Sequence, residues 1–303
     1  MVFLATAVRP ARGPGDDALP RLAADCGASG VHFGGGDLGA AVASFATVAR
    51  AGLVVGPPLL PLPERPLDAR KRLPRLAAPD RDERAAAIAL VTRGLADFAA
   101  LGVGQALLDL GGVALAADRK AFRRAFSRRE VESDGEGAQI LAAARGERQA
   151  RARETLDACQ YALERLLREA ERRAITLLLV PAATPWQTPS PREIELLVDQ
   201  LAGGPLGYAW DPARLSVLCS LGLPLADDRL KRLADGAALA IENDAVGLET
   251  GYLPGLGEQD PRVAPLAAPA KAPASSPGGP TPRPPRSLRP SRGCRLRADV
   301  LGF

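Results

Sequence analysis

Histidine is almost absent: His32 is the only one in 303 residues. A site built on two or three histidine ligands is therefore excluded, as is a compact Cys-His-Cys-Cys motif. Cysteine is scarce too. Cys26, Cys159, Cys219 and Cys294 lie far apart with no CxxC pair. That excludes a zinc ribbon or a disulfide scaffold and suits a reducing cytoplasm. Aromatic residues make up 4 % of the chain, which argues against a β-sandwich or a base-stacking platform. No apolar run approaches the roughly 20 residues that span a bilayer, so no membrane partner is expected. The apolar opening Met1–Val8 is short. No basic segment precedes it and no small-residue cleavage site follows, so no signal peptide is expected.

What is present is ordinary for a soluble globular protein: 47 % apolar and 24 % charged residues. The length suits one large domain or two small ones. The net charge of +4 hides a division: residues 261–303 carry +7 and residues 1–260 carry −3. The basic balance therefore describes a tail, and nucleic acid is not an expected partner of the body. Lysine supplies only 4 of the 39 basic residues. With abundant alanine, glycine and proline, this reflects a GC-rich coding sequence rather than arginine-based recognition.

Short apolar runs alternate with amphipathic segments. Strands are expected at Val2–Val8, Gly30–Phe33, Leu53–Leu60, Gln105–Leu110, Ile175–Val180, Gly207–Trp210 and Ala237–Asn243. Helices are expected at Asp16–Cys26, Leu38–Arg50, Arg81–Leu101, Gly146–Arg173, Ser190–Leu201 and Leu225–Leu233. Ser190-Pro191-Arg192-Glu193 has capping-box spacing with proline in the first turn. Ile175–Val180 is apolar on both faces, as parallel strands covered by helices are. This alternation predicts an α/β fold with a parallel sheet. Gly34–Gly36 follows the second strand without GxGxxG spacing, and no Walker A sequence occurs. Seven strands in 1–260 favour a (β/α)₈ TIM barrel, with seven strands legible where closure needs eight. From about residue 261 the pattern stops. Ten prolines fall in the last 43 residues, so 261–303 is expected to be a Pro/Arg/Ala-rich disordered tail. A shifted reading frame in GC-rich DNA produces such an abrupt switch.

Four passages carry a family resemblance: "RRAITLLLVP" at 172–181, "GPLGYAWDPARLSVLCSLG" at 204–222, "ALAIENDAVGLETGYLPGLGEQD" at 238–260 and "AAIALVTRGLADFAALGVGQALLDLGG" at 86–112. They resemble the sugar phosphate isomerase/epimerase group of xylose isomerase-like TIM barrels. The resemblance implies an isomerase or epimerase acting on a small carbohydrate, with a divalent metal (Mn, Mg or Zn) at the C-terminal mouth of the barrel. There the metal polarises substrate oxygens while carboxylates move the proton next to the carbonyl. It also implies a ligand set: Glu on strand 5, Asp on strand 6, His on strand 7 and Glu on strand 8. Carried over by position, these fall on Val180, Asp211 and Ile241, and the strand 8 Glu has no counterpart. The His three residues after the strand 6 Asp falls on Arg214, and Asp244 is kept. A lone carboxylate holds a hard divalent ion weakly. The resemblance with these departures leads to a sugar-binding homologue without effective catalysis. An active metal-dependent isomerase with a rearranged site around Asp211, Glu242 and Asp244 is the alternative. An interaction protein acting through the basic tail is a third reading.

Individual residues carry paired readings. Asp211 is a catalytic or metal carboxylate, or the N-cap of the turn after its strand. Arg214 binds substrate, or forms a structural ion pair with Asp211. Glu242 reaches the metal only through a register change, because neighbours on a strand face opposite ways. His32, at a strand end, contacts a ligand or is a satisfied structural residue. Gly34–Gly36 admits a phosphate or is a flexible turn. Trp186 stacks on a sugar or covers the barrel mouth. Glu258 binds substrate or is part of a solvated turn. The basic run 119–129 reads as a solvated, partly disordered excursion.

Overall fold

Parallel strands form where the apolar runs fall, and helices cover them. The computed structural model describes residues 3–7, 30–34, 37–50, 52, 54–64, 72–127, 135–223, 225–241, 244–246, 248–252, 260 and 263. The strands are β1 Phe3–Ala7, β2 Gly30–Gly34, β3 Val54–Val55, β4 Leu59–Leu60, β5 Gln105–Leu108, β6 Thr176–Leu179, β7 Leu206–Trp210 and β8 Leu239–Ala240. Two more, β9 Asp244–Val246 and β10 Glu249–Tyr252, pair antiparallel. The helices are α1 Leu38–Arg50, α2 Arg81–Ala100, α3 Arg119–Ser127, α4 Glu136–Ala150, α5 Ala152–Arg172, α6 Pro191–Gln200, α7 Pro212–Ser220 and α8 Asp227–Gly236. The expected helix Asp16–Cys26 lies outside the described residues, as does the 261–303 tail apart from Val263.

All pairing from β1 to β8 is parallel, in the orders β1-β2-β3 and β4-β5-β6-β7-β8. The third expected strand, Leu53–Leu60, is two short pieces rather than one. Gly56-Pro57-Pro58 separates them, and proline has no N–H for a ladder. The first piece pairs with β2 and the second with β5, so one bent segment serves both sheets. Pro58 still accepts from the Leu107 N–H at 2.8 Å.

Strand alternation sorts the apolar residues into two layers. Leu60, Ala106, Leu108, Leu177 and Leu179 point outward into the helices, where Phe45 and Phe98 pack at 4.8 Å between ring centres. Leu107, Leu178, Val180 and Ala209 form a separate inner cluster with Leu59, Leu239 and Ile241. The expected single helix Gly146–Arg173 is broken at Arg151, whose φ of −98° and ψ of 1° interrupt the turn. Gly146–Ala150 therefore ends α4. The 244–252 hairpin, absent from the expected strands, contributes Ala245 to the core around α7.

The Ser190 capping box forms as its spacing predicts. The Ser190 hydroxyl accepts from the Glu193 N–H at 3.3 Å, and the Glu193 carboxylate accepts from the Ser190 N–H at 2.7 Å. The same carboxylate accepts the Thr188 hydroxyl at 3.1 Å and pairs with Arg148 from α4. Both charged side chains are buried, at 1 % and 5 % exposure. This pair ties α4 to the first turn of α6. Against it lies the Cys159 thiol, which burial and then the Glu193 charge push up to about 12.

Two outcomes follow from this packing. Glu193→Ala leaves the Arg148 charge buried without its carboxylate, so urea unfolding is expected to show a loss of about 3–5 kcal/mol. Cys159 contributes to the loss of stability at alkaline pH. The unfolded thiol ionises near its ordinary 9.0 while the folded one holds its proton up to about 12. The unfolded state thus loses its proton first, and stability falls as pH rises through that window. Tyr208, raised from 10.0 to about 12 chiefly by burial, adds to the upper half of the fall. Denaturation midpoints measured against pH are expected to decline more gently in Cys159→Ala.

Candidate functional site

In a parallel α/β barrel the C-terminal strand ends and the loops after them form the mouth. Here the loops after β4, β5 and β6 enclose a cavity of about 1470 Å³. Its wall includes Asp37, Arg72, Arg75, Asp109, Arg119 and Trp186.

Register places the inward residues at this end. Leu59 stands beside Leu107 and Leu107 beside Leu178. Two residues further along each strand, alternation brings Asp109 and Val180 to the same inner side, and Asp211 follows Ala209 in the same way. The pairing continues past the strands: Asp109 N–H donates to Leu60 O at 2.9 Å, Val180 N–H to Leu108 O at 3.2 Å and Ile241 N–H to Trp210 O at 2.8 Å. The inward row at the mouth therefore reads Asp109, Val180, Asp211 and Ile241.

Asp109 was not among the residues singled out from the sequence. Its Oδ1 accepts from the Gly111 N–H at 2.8 Å, which folds the loop back at a φ of +97°. Only glycine takes that conformation without strain, and a Cβ there would sit 2.9 Å from Arg75 Cβ and Cγ. Arg75 is itself fixed. Its Nε and Nη2 donate to the Glu83 carboxylate at 2.7 and 2.9 Å, and Nη1 donates to Gly112 O at 3.1 Å. Hydrogen bonding from Arg75 outweighs burial and holds the Glu83 carboxyl below its ordinary value.

Asp211 is buried and starts α7 as its N-cap, accepting from the Arg214 N–H at 3.1 Å. Arg214 Nε lies 3.3 Å from the other carboxylate oxygen, and its Nη1 donates to Pro181 O at 3.1 Å. The ion pair expected between these two is present. Neither residue lines the large cavity. Trp186 does line it and is nearly buried. Its Nε1 donates to Ala117 O at 3.2 Å and its ring packs on Phe122 at 5.0 Å. The basic run is docked rather than a solvated excursion: Phe122 and Ala125 of α3 are buried, and residues 128–134 lie outside the described residues. His32 stands in β2 and Asp244 opens β9, but their side chains are not described, and Glu242 and Glu258 lie outside the described residues.

The metal implied by the resemblance has a poor seat here. Val180 and Ile241 offer hydrocarbon where Glu and His are expected. Asp211 already faces a fixed guanidinium, whose charge opposes a divalent ion beside it. Among the described residues no three His, Cys, Asp or Glu side chains cluster as a metal site. These residues do not fit the metal.

No protein-family model and no curated protein matches the chain. Solved structures do. An E. coli 3-keto-D-glucoside 4-epimerase in its apo form is similar at a TM-score of 0.56 and 12 % identity, over 85 % of this chain and 84 % of that one. A D-allulose 3-epimerase from Methylomonas sp. in complex with D-allulose gives 0.54 and 14 %, over 81 % and 70 %. An L-ribulose 3-epimerase gives 0.53 and 13 %, over 85 % and 74 %. The fold is thus the parallel α/β barrel fold that these sugar epimerases share. No described helix is long and apolar enough to cross a membrane.

The Asp211 geometry makes a testable distinction. Asparagine caps a helix as well as aspartate, whereas alanine does not. Asp211→Ala also leaves Arg214 without its partner. Thermal unfolding is expected to show a loss of about 1–3 kcal/mol for the alanine variant and a smaller one for Asp211→Asn.

Proposed function

We propose that this chain binds a small carbohydrate at the C-terminal mouth of its barrel and does not carry out metal-dependent isomerisation. The observation that carries the reading is the composition of the inward row. Asp109, on the β5 side, borders a large cavity, while Val180 and Ile241 take the positions where the resemblance expects metal ligands. The fold's likeness to the sugar epimerases supports the ligand class. Sugar binding needs fixed hydrogen-bonding groups on a partly apolar wall. Asp109 supplies an acceptor braced by Gly111, and Trp186 supplies an aromatic wall braced by Ala117 and Phe122. The hydrogen bond on Asp109 and the ion pair on Asp211 hold both carboxylates in place. The Asp211–Arg214 pair, in this reading, takes over the charge balance of the vacated cation position.

The test uses purified full-length chain with D-allulose, D-fructose and L-ribulose. Calorimetry is expected to show saturable binding of at least one sugar, weakened about tenfold by Asp109→Ala. Added Mn²⁺, Mg²⁺ or Zn²⁺ is expected to stimulate no epimerisation or isomerisation. Metal-stimulated turnover lost in Asp211→Ala would replace this reading with an active isomerase built around Asp211, Glu242 and Asp244.

A further inference from the structure

The turn after β5 is held by three segments at once. Three consecutive carbonyls accept from different partners: Leu110 O from the Ala77 N–H at 3.0 Å, Gly111 O from the Thr188 N–H at 3.2 Å and Gly112 O from Arg75 Nη1 at 3.1 Å. The first two bonds join backbone to backbone, and the third is made by a side chain. In the same turn the Gly111 N–H donates to Asp109 Oδ1 at 2.8 Å, which leaves Oδ2 for a ligand hydroxyl. The direction of the Asp109 carboxylate therefore depends on where Gly111 sits. Arg75 fixes that position twice. It holds Gly112 O, and it packs against Gly111 so closely that a Cβ there would meet its side chain at 2.9 Å.

Arg75 is aimed by the first turn of α2. Asp80 and Glu83 have capping-box spacing, and the Asp80 carboxylate accepts from the Glu83 N–H at 2.7 Å. In a complete box the glutamate returns to the cap. Here both carboxylate oxygens go to Arg75. Oε1 accepts from the Arg75 N–H at 3.1 Å and from Nε at 2.7 Å, and Oε2 accepts from Nη2 at 2.9 Å. Pairing along the Nε–Nη2 edge fixes the plane of the guanidinium and turns Nη1 to Gly112. The two side chains are 28 % and 29 % exposed, so water does not readily displace the fork.

We infer that Arg75 is a positioning residue of the carbohydrate site: it holds the 109–112 turn so that the Asp109 carboxylate meets the ligand in one orientation. This rests on the carbohydrate reading above and adds the residue that prepares its acceptor. A turn ordered in advance spares the ligand the cost of ordering it, and affinity rises accordingly. Arginine suits the task because its guanidinium serves two acceptors in fixed directions. A lysine ammonium keeps the charge opposite Glu83 but has no second edge for Gly112.

The full chain is compared with Arg75→Lys, Asp109→Ala and Arg75→Lys/Asp109→Ala, with Arg168→Lys on α5 as control. Thermal unfolding checks that each variant is folded. Calorimetry measures binding of D-allulose, D-fructose and L-ribulose, and NMR follows exchange of the Gly111 amide in the sugar-free protein. In Arg75→Lys, sugar affinity is expected to fall about tenfold and the Gly111 amide to exchange about tenfold faster, while the Leu107 amide in β5 is unchanged. Glu83→Gln loosens the same fork and is expected to move both readouts the same way. Because Arg75 acts through Asp109, adding Arg75→Lys to Asp109→Ala is expected to cost less than about twofold more in affinity, whereas a general loss of stability would add in full. Arg168→Lys is expected to move neither readout. Unchanged sugar affinity, additive losses or unchanged Gly111 exchange in Arg75→Lys would overturn the positioning role and leave the carbohydrate reading standing. No sugar bound by the unaltered chain would overturn the carbohydrate reading, and faster Gly111 exchange in Arg75→Lys would then still uphold the hold of Arg75 on the Asp109 turn.

Discussion

Side chains on a strand alternate between two faces, and the mouth of this molecule depends on that constraint. Once Leu107, Leu178 and Ala209 face inward, the positions two residues on are committed as well. Asp109, Val180 and Asp211 then share one rim, and Ile241 continues it through its bond to Trp210. No side-chain rotation moves Val180 out of this row. A substitution there changes the chemistry of the mouth and leaves the sheet unaffected, because valine suits a strand buried on both faces. The fold and the catalytic outfit of a barrel thus vary independently.

Charge at the strand ends is distributed in three ways. The Arg148–Glu193 pair is buried and structural, joining α4 to the first turn of α6. The Asp211–Arg214 pair is also mostly enclosed, and it closes the β7 side with a helix cap and a bond to Pro181. On the β4 and β5 side, Arg75 and Glu83 brace the wall. The Asp211–Arg214 pair stands where the resemblance expects a metal ligand, and the large cavity lies apart from it, on the β4 and β5 side. In this account ligand recognition has shifted around the rim, away from β6 and β7 and toward β4 and β5.

Much of the fold is legible in the sequence, for identifiable reasons. Leu38–Arg50 forms the helix its spacing predicts, and the Ser190 box forms because side-chain capping is local. The Asp211–Arg214 contact follows from helix-start geometry. The break at Arg151 has no glycine or proline to announce it and depends on how α4 and α5 pack. The division of the third strand was written in Gly56-Pro57-Pro58, yet the apolar run masked it. Asp109 escaped notice inside an apolar strand, although a carboxylate at the end of a barrel strand is the available signal. Arg72 lies in a loop without periodicity, and Arg119 in a basic run whose composition alone suggests solvation. That both line one cavity is a matter of tertiary structure, so no spacing along the chain reveals it.

The central claim is that this mouth does not hold a divalent metal. Electron paramagnetic resonance of Mn²⁺ titrated with the purified protein tests it without assuming a substrate. Free aqueous Mn²⁺ gives a six-line signal that collapses when the ion is bound by protein ligands. The account predicts that the signal persists undiminished as protein is added in excess. A stoichiometric loss of signal that is abolished in Asp211→Ala would contradict it.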